Sequence, residues 1–226
     1  MKRLNFFYAA AFGLFSLYAS AQVNQTPITG GGRQLLVSAE KPMAATGTMY
    51  IDDKFMPAKV GIDNAPALLR YNAYSDYFEM NDPHEQKTKA LPKQFGTIVT
   101  FVATGEEYTY ADYKNEEGQT QNGYLNIVKQ GPKVSIYKKE SIYLQPGSVA
   151  SNSYQTSKAA AYKRNDDQYY IKLNDQAPSF FSNKKELAKL LPEKSKEVLD
   201  YIKQNKIDLE KEADLQKLSV YLETIL

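Results

Sequence analysis

The chain has 226 residues, with 28 lysines and arginines against 26 aspartates and glutamates, one histidine, no cysteine and no tryptophan. Those counts exclude disulfides, thiol nucleophiles, cysteine-built zinc sites and lipid attachment through cysteine. A formal net charge of +2 lacks the strong basic excess of a nucleic-acid binder.

Lys2 and Arg3 precede an apolar run from Leu4 to Leu17, and Ala19-Ser20-Ala21 stands before Gln22. A basic start, an apolar middle and small residues before the cut predict a secretory signal peptide over 1–21, cleaved between Ala21 and Gln22. The apolar run is shorter than the roughly 20 residues a membrane-spanning helix needs, and no later segment is apolar enough to span as a helix. Cleavage removes two basic residues and leaves 26 charges of each sign. The mature chain is then formally neutral and is not drawn to anionic lipid by charge. The expected location is periplasmic or secreted.

Residues 22–46 are small or polar, with Gly30-Gly31-Gly32, and predict a flexible leader with one short strand at Gln34–Ser38. From 47 to 182 the pattern is strand-like. Short segments rich in Val, Ile, Thr, Tyr and Phe alternate with turn signals. The expected strands are Met49–Val60, Ala67–Asn72, Asp76–Met80, Gly96–Ala103, Glu107–Tyr113, Thr120–Lys129, Lys133–Leu144 and Gln168–Leu173. A polar loop carrying Ser148, Ser151, Ser153 and Ser157 fills Pro146 to Asn165. The short connections force antiparallel neighbours, because parallel pairing needs a crossover of a dozen or more residues. Along Gly123–Lys129, Leu125 and Ile127 share one face and Tyr124, Asn126 and Val128 the other. Both faces are partly apolar, so the second calls for helices or another sheet layer.

The last segment, 183–226, is helical. Asn183 with Glu186 resembles a capping box, and Leu187, Leu190 and Leu191 form a stripe. Pro192 opens a second helix that carries Val198, Tyr201 and Ile202 and stops at Asn205. A third runs from Glu210 with Leu215, Leu218, Leu222 and Ile225 at helical spacing. The lysines of this tail alternate with acids such as Glu193, Glu197 and Asp200, as on a solvated face. The fold class expected is α+β, mainly β: an antiparallel β-meander, as an open curved sheet or partial barrel or sandwich, with two or three C-terminal helices packed on it.

Few residues offer chemistry. His84 sits in the polar stretch Asn81–Glu85 and reads as an exposed loop histidine. No Gly-x-Ser-x-Gly elbow or phosphate-cradling Gly-Lys-Ser/Thr loop occurs. Asp52-Asp53 and Asp166-Asp167 are adjacent in sequence and diverge in a strand. Asp76 and Glu79 face opposite ways if one strand holds both, so these carboxylates read as solvated turn residues. No catalytic residue, metal ligand or cofactor is predicted. Arg70 can lie across a hairpin from Asp76 or Glu79 and fix its register. Tyr71 and Tyr77 share parity if their strand is continuous, as do Tyr108 and Tyr110. Such tyrosines either cover the core or form a binding face. Arg70, Tyr71, Asn72, Tyr74, Asp76, Tyr77 and Glu79 are therefore the candidate binding or structural motif.

Tyr50–Phe55, Leu68–Glu79, Gly123-Tyr124-Leu125, Tyr169–Lys172 and the helix start Leu190–Lys194 together resemble a family of exported, functionally uncharacterised proteins common in Bacteroidota. The likeness spans about residues 46–224, and Leu-Arg-Tyr-Asn with Asp76 and Glu79 is its most specific part. It implies an exported β-rich domain with a helical C-terminus, and no activity, cofactor or catalytic residue. The expected function is a non-enzymatic binding or interaction module of the cell envelope, meeting an envelope protein or glycan through a tyrosine-rich sheet face or loops. The alternatives are a carboxylate-dependent hydrolase of envelope glycan and a structural envelope component.

Overall fold

A computed structural model describes residues 44–82, 87–150 and 154–226. The segment expected as a signal peptide, with Ala21 and Gln22, most of the expected leader, His84, Ser151 and Ser153 lie outside the described residues. The strands are β1 (Met56–Val60), β2 (Ala65–Asn72), β3 (Tyr77–Asp82), β4 (Lys87–Ala90), β5 (Ile98–Phe101), β6 (Glu107–Lys114), β7 (Thr120–Lys129), β8 (Val134–Lys139), β9 (Ile142–Gln145), β10 (Ala161–Arg164), β11 (Gln168–Leu173) and β12 (Ser179–Phe180). The helices are α1 (Lys184–Leu190), α2 (Ser195–Gln204) and α3 (Glu212–Ile225), with a single 3-10 turn at Pro192–Lys194 before α2.

Ten strands form one sheet in the order β12-β11-β8-β7-β6-β5-β1-β2-β3-β4, and β9 with β10 makes a separate hairpin. The neighbours along this order pair antiparallel; short connections require this of the sequential pairs, and β1–β5 and β8–β11 pair the same way across longer excursions. One parallel contact is added: Ser179 of β12 meets Lys114 of β6. It closes β6, β7, β8, β11 and β12 into a ring, while β5 through β4 remain an open, curved wing. The free outer strand β4 is exposed throughout, and its Lys87 and Lys89 discourage pairing with another chain.

Period-two alternation sorts the side chains into three cores. Ala111, Tyr113, Leu125, Ile127, Tyr137 and Tyr170 fill the ring. The opposite parity of the same strands sends Tyr108, Tyr110 and Tyr124 to a second core with Tyr71, Phe78, Val99 and Phe101 from the wing. The third core lies on the outer face of β8 and β11, where Val134, Ile136, Tyr169 and Ile171 meet Leu187, Val198, Leu215, Leu218 and Leu222 of the helices. β8 is buried at every position, since its two faces serve different cores. A register shift between Ile127 and Lys129 sets Val128 against the helical core.

Several local expectations shift. The stretch expected as one strand over Lys133–Leu144 breaks at Glu140-Ser141 into β8 and β9. The expected polar loop over Pro146–Asn165 contains β10, and β12 lacks any extended hydrophobic run. The capping box is offset by one residue. Asn183 Oδ1 accepts from the backbone N–H of Lys185 and Glu186 at 3.0 and 3.1 Å. Glu186 reaches back to the N–H and hydroxyl of Ser182 rather than to the backbone N–H of Asn183. Pro192 begins the 3-10 turn, and α2 starts three residues later.

Candidate functional site

The motif singled out from sequence is brought together by the β2–β3 hairpin, but on two different faces. The register pairs Leu69 with Met80, Arg70 with Glu79, Tyr71 with Phe78 and Asn72 with Tyr77. The strand is not continuous, so Tyr71 and Tyr77 do not share parity; they lie on opposite faces of the hairpin. Tyr71, Asn72 and Glu79 are buried, Tyr74 is exposed, and Arg70, Asp76 and Tyr77 lie between these limits.

On the outer face, Arg70 is fully committed. Its Nε and Nη2 donate to Glu79 Oε2 at 2.9 and 2.6 Å, Nη2 to the Tyr50 hydroxyl at 2.8 Å, and Nη1 to the Asp53 carbonyl at 3.1 Å. The guanidinium lies over the Tyr50 ring, 3.7 Å from its centroid, and 4.4 Å from that of Phe55, the planar stacking that an arginine and not a lysine supplies. Glu79 also accepts from the Tyr50 and Tyr77 hydroxyls. Burial pushes its carboxyl up, but the bonds from Arg70, Tyr50 and Tyr77 outweigh burial and hold it below the ordinary glutamate range. The Tyr50 hydroxyl is pushed up to about 12 by burial and by Glu79. This constellation holds the hairpin to the Tyr50–Phe55 segment.

Asp76 is in the turn rather than a strand, with φ of +53°. Its Oδ1 accepts from Lys139 Nζ at 2.6 Å, from the Tyr71 hydroxyl at 2.6 Å and from the Tyr124 N–H at 3.2 Å. Lys139 also donates to the Tyr124 carbonyl at 2.9 Å. Burial lowers the ammonium's pKa despite Asp76, and burial together with Asp76 raises that of Tyr71 well above the usual phenol range. Gly123 leaves room for the pair: a Cβ there would stand 2.5 Å from Asp76 Oδ2 and 3.0 Å from Lys139 Nζ.

Sequence reasoning passed over the run Lys138-Lys139-Glu140, whose members are each buried. The available signal was three consecutive charges ending a strand whose other residues are apolar or small, because charges buried on both faces demand partners. Glu140 accepts from the Tyr108 hydroxyl at 2.5 Å and from Arg164 Nη2 at 2.8 Å. Arg164 also holds Asp167 at 2.9 Å, and Lys138 reaches Glu212 of α3 at 2.8 Å. Burial, then Glu140, raises the Tyr108 pKa. For Lys138, burial lowers the pKa, but Glu212, Glu140 and Asp167 outweigh it and the net shift is upward.

Beside this network opens a cleft of about 770 Å³, within the range of small-ligand sites. Its floor includes Tyr169, Phe180, Phe181 and Leu209, and its rim Asn165, Asp166, Gln168, Ser182 and Glu210. The loop from β10 to β11, the β12 end and the segment before α3 thus converge on one concavity. Asn165 is pinned by its Nδ2 to the Ser141 hydroxyl at 2.9 Å and by its backbone N–H to the Ser141 carbonyl at 3.0 Å, which leaves its Oδ1 as an acceptor. Gln168 accepts from the Tyr170 hydroxyl through Oε1 at 3.2 Å, so its amide N–H2 points the other way as a donor. Among the described residues, no group of three or more His, Cys, Asp or Glu side chains could hold a metal ion, and no helix is long and apolar enough to cross a membrane. Compared with models of known families, with curated proteins and with solved structures, the chain matches none.

Proposed function

We propose that the protein is an exported, non-enzymatic binding module of the bacterial cell envelope and that its ligand occupies the cleft between the β10–β11 loop and the segment before α3. The observation that carries this reading is the charge network behind the cleft. Glu140 and Lys138 are buried while Arg164 and Asp167 are partly exposed; buried charges seldom stabilise a fold more than apolar packing of the same volume, so these residues are better explained by position than by stability. They fix the loop that carries Asn165–Gln168 and join it to β8 and α3, which is the preorganisation a binding site needs.

The signal-like N-terminus and the resemblance to exported Bacteroidota proteins support the compartment. The tyrosines support a different site from the one the sequence suggests. Tyr71, Tyr108, Tyr110 and Tyr124 are core residues, so recognition falls to loops and not to an aromatic row. Against the hydrolase reading, Asp167, one of the carboxylates lining the cleft, is committed to Arg164 at 2.9 Å.

A photo-crosslinking side chain placed at Asp166, exposed on the cleft rim, and, in a second variant, at Ile62 on the far β1–β2 turn tests the proposal in the living envelope. Capture from position 166 alone, abolished by Gln168→Ala, is the expected result. Equal capture from both positions, or from neither, overturns it.

A further inference from the structure

A second concavity of about 300 Å³ opens at the mouth of the closed strand ring, lined in part by Tyr113, Asn115, Gln121 and Tyr170. Ser141 and Gln168 line this space as well as the larger cleft. The two are therefore neighbours that share a pair of side chains, and a chain laid across Ser141 and Gln168 would occupy both as one groove. We infer that this groove binds a linear glycan that is neutral or cationic, with one stretch of the chain in the large cleft and the next at the ring mouth. The inference rests on the binding reading above and names its ligand class.

The chemistry of the lining selects a sugar chain. Exposed amides stand over buried aromatic rings in both halves, and two of the amides are oriented by tyrosine hydroxyls: Tyr170 donates to Gln168 Oε1, and Tyr113 donates to Gln121 Oε1 at 3.4 Å. Each glutamine is thereby turned to present its N–H2, while Asn165, anchored to Ser141, presents an oxygen. Two donors and an acceptor on one lining suit hydroxyl groups, each of which both donates and accepts. The aromatic floor suits the apolar faces of sugar rings.

An extended peptide fits less well. It would gain most from main-chain bonds to a long open strand edge, but β8 is paired on both sides and β11 pairs with β8 along its length and with β12 at Tyr170 and Ile171, so only a short edge is left. The charges set the second half of the specificity. Asp166 and Glu210 border the large cleft and Glu116 and Glu117 the ring mouth. The basic side chain lining the ring mouth, Lys139, is already bonded to Asp76. Like charges brought together at an interface are strongly disfavoured, so uronate or phosphorylated chains are rejected.

The test is an array of linear oligosaccharides from di- to hexasaccharide, in neutral, amino-sugar and uronate forms, probed with the full mature chain. The expected result is binding of neutral or amino-sugar chains and not uronates, with affinity rising about tenfold or more from the shortest to the longest. Gln121→Ala, at the ring mouth, removes that gain with length; Asn165→Ala and Gln168→Ala remove binding; Ile62→Ser, remote from the groove, leaves it intact. Circular dichroism verifies that each variant is folded. Binding that shows no gain with length, or a preference for uronates, overturns the extended groove or its charge selection and leaves the binding module standing. No glycan binding, together with a protein crosslinked at position 166, overturns the glycan and keeps the module. No glycan binding and no crosslink overturns both.

Discussion

Arg70 and Glu79 stand directly opposite one another on β2 and β3, and the guanidinium donates to the carboxylate from both Nε and Nη2. Because Tyr50 and Phe55 stack on the same guanidinium, one side chain ties three stretches of chain together. Arg70→Lys keeps the charge and loses the fork and the stacking. It is expected to lower stability by about 2 kcal/mol, and Arg70→Leu by about 3 kcal/mol, since a buried carboxylate is left without its partner. Urea denaturation of both variants measures this.

The same pair sets an acid limit. Glu79 is held below its unfolded value, so its contribution is complete above the unfolded pKa and is lost as pH falls through the folded one. The wild-type midpoint therefore falls as the solution is acidified below about pH 4, where free glutamate protonates. In Glu79→Gln the fall is shallower. Thermal unfolding across roughly pH 3 to 6, the range bracketing free glutamate, reads the difference.

Tyrosine sets the alkaline behaviour. Tyr50 and Tyr124 are pushed up to about 12, chiefly by burial, and Tyr71, Tyr108 and Tyr170 are raised by burial too. A raised group stabilises the fold fully below its unfolded pKa, about 10, and loses that contribution as pH rises through its folded value. Tyrosinate absorbance from these five residues is expected to appear together with loss of structure, above about pH 10, and in guanidinium to appear without that delay. Ultraviolet titration followed in parallel with circular dichroism checks the coincidence.

Gly123 is required by its neighbours rather than by its own backbone. Gly123→Ala drives a methyl into Asp76 and Lys139 and is expected to cost about 2 kcal/mol by overpacking. Combining it with Asp76→Gly should cost less than the sum of the two single changes, because both disturb the same contact. A double-mutant cycle by chemical denaturation decides it.

The meander was legible because its signals are local. Strand-length runs of β-branched and aromatic residues end at turn residues, and β7 falls on Thr120–Lys129 as read from the chain. The leucine spacing of α3 and the two apolar faces of Gly123–Lys129 were legible for the same reason. The ring was not. Its closure depends on Ser179 meeting Lys114, a contact between a two-residue strand and a distant partner that no periodicity announces. The hairpin's Arg70–Glu79 pair could be framed as one of two registers, and the turn geometry at Asp76 selects it. The cleft was the least legible part, because its rim is gathered from separate loops and its supporting network joins β8, β10 and α3. Lys138-Lys139-Glu140 carried the one clue, a block of charge where the strand pattern calls for apolar residues.

The most direct measurement of the central claim is hydrogen exchange of the mature protein with and without solubilised cell-envelope material from its own host. The account predicts slowed exchange in 165–169 and 180–182, extending to 113–121 where the ligand reaches the ring mouth, restored to the free rate by Gln168→Ala. Unchanged exchange in those segments, or protection centred on the β1–β4 wing instead, would contradict it.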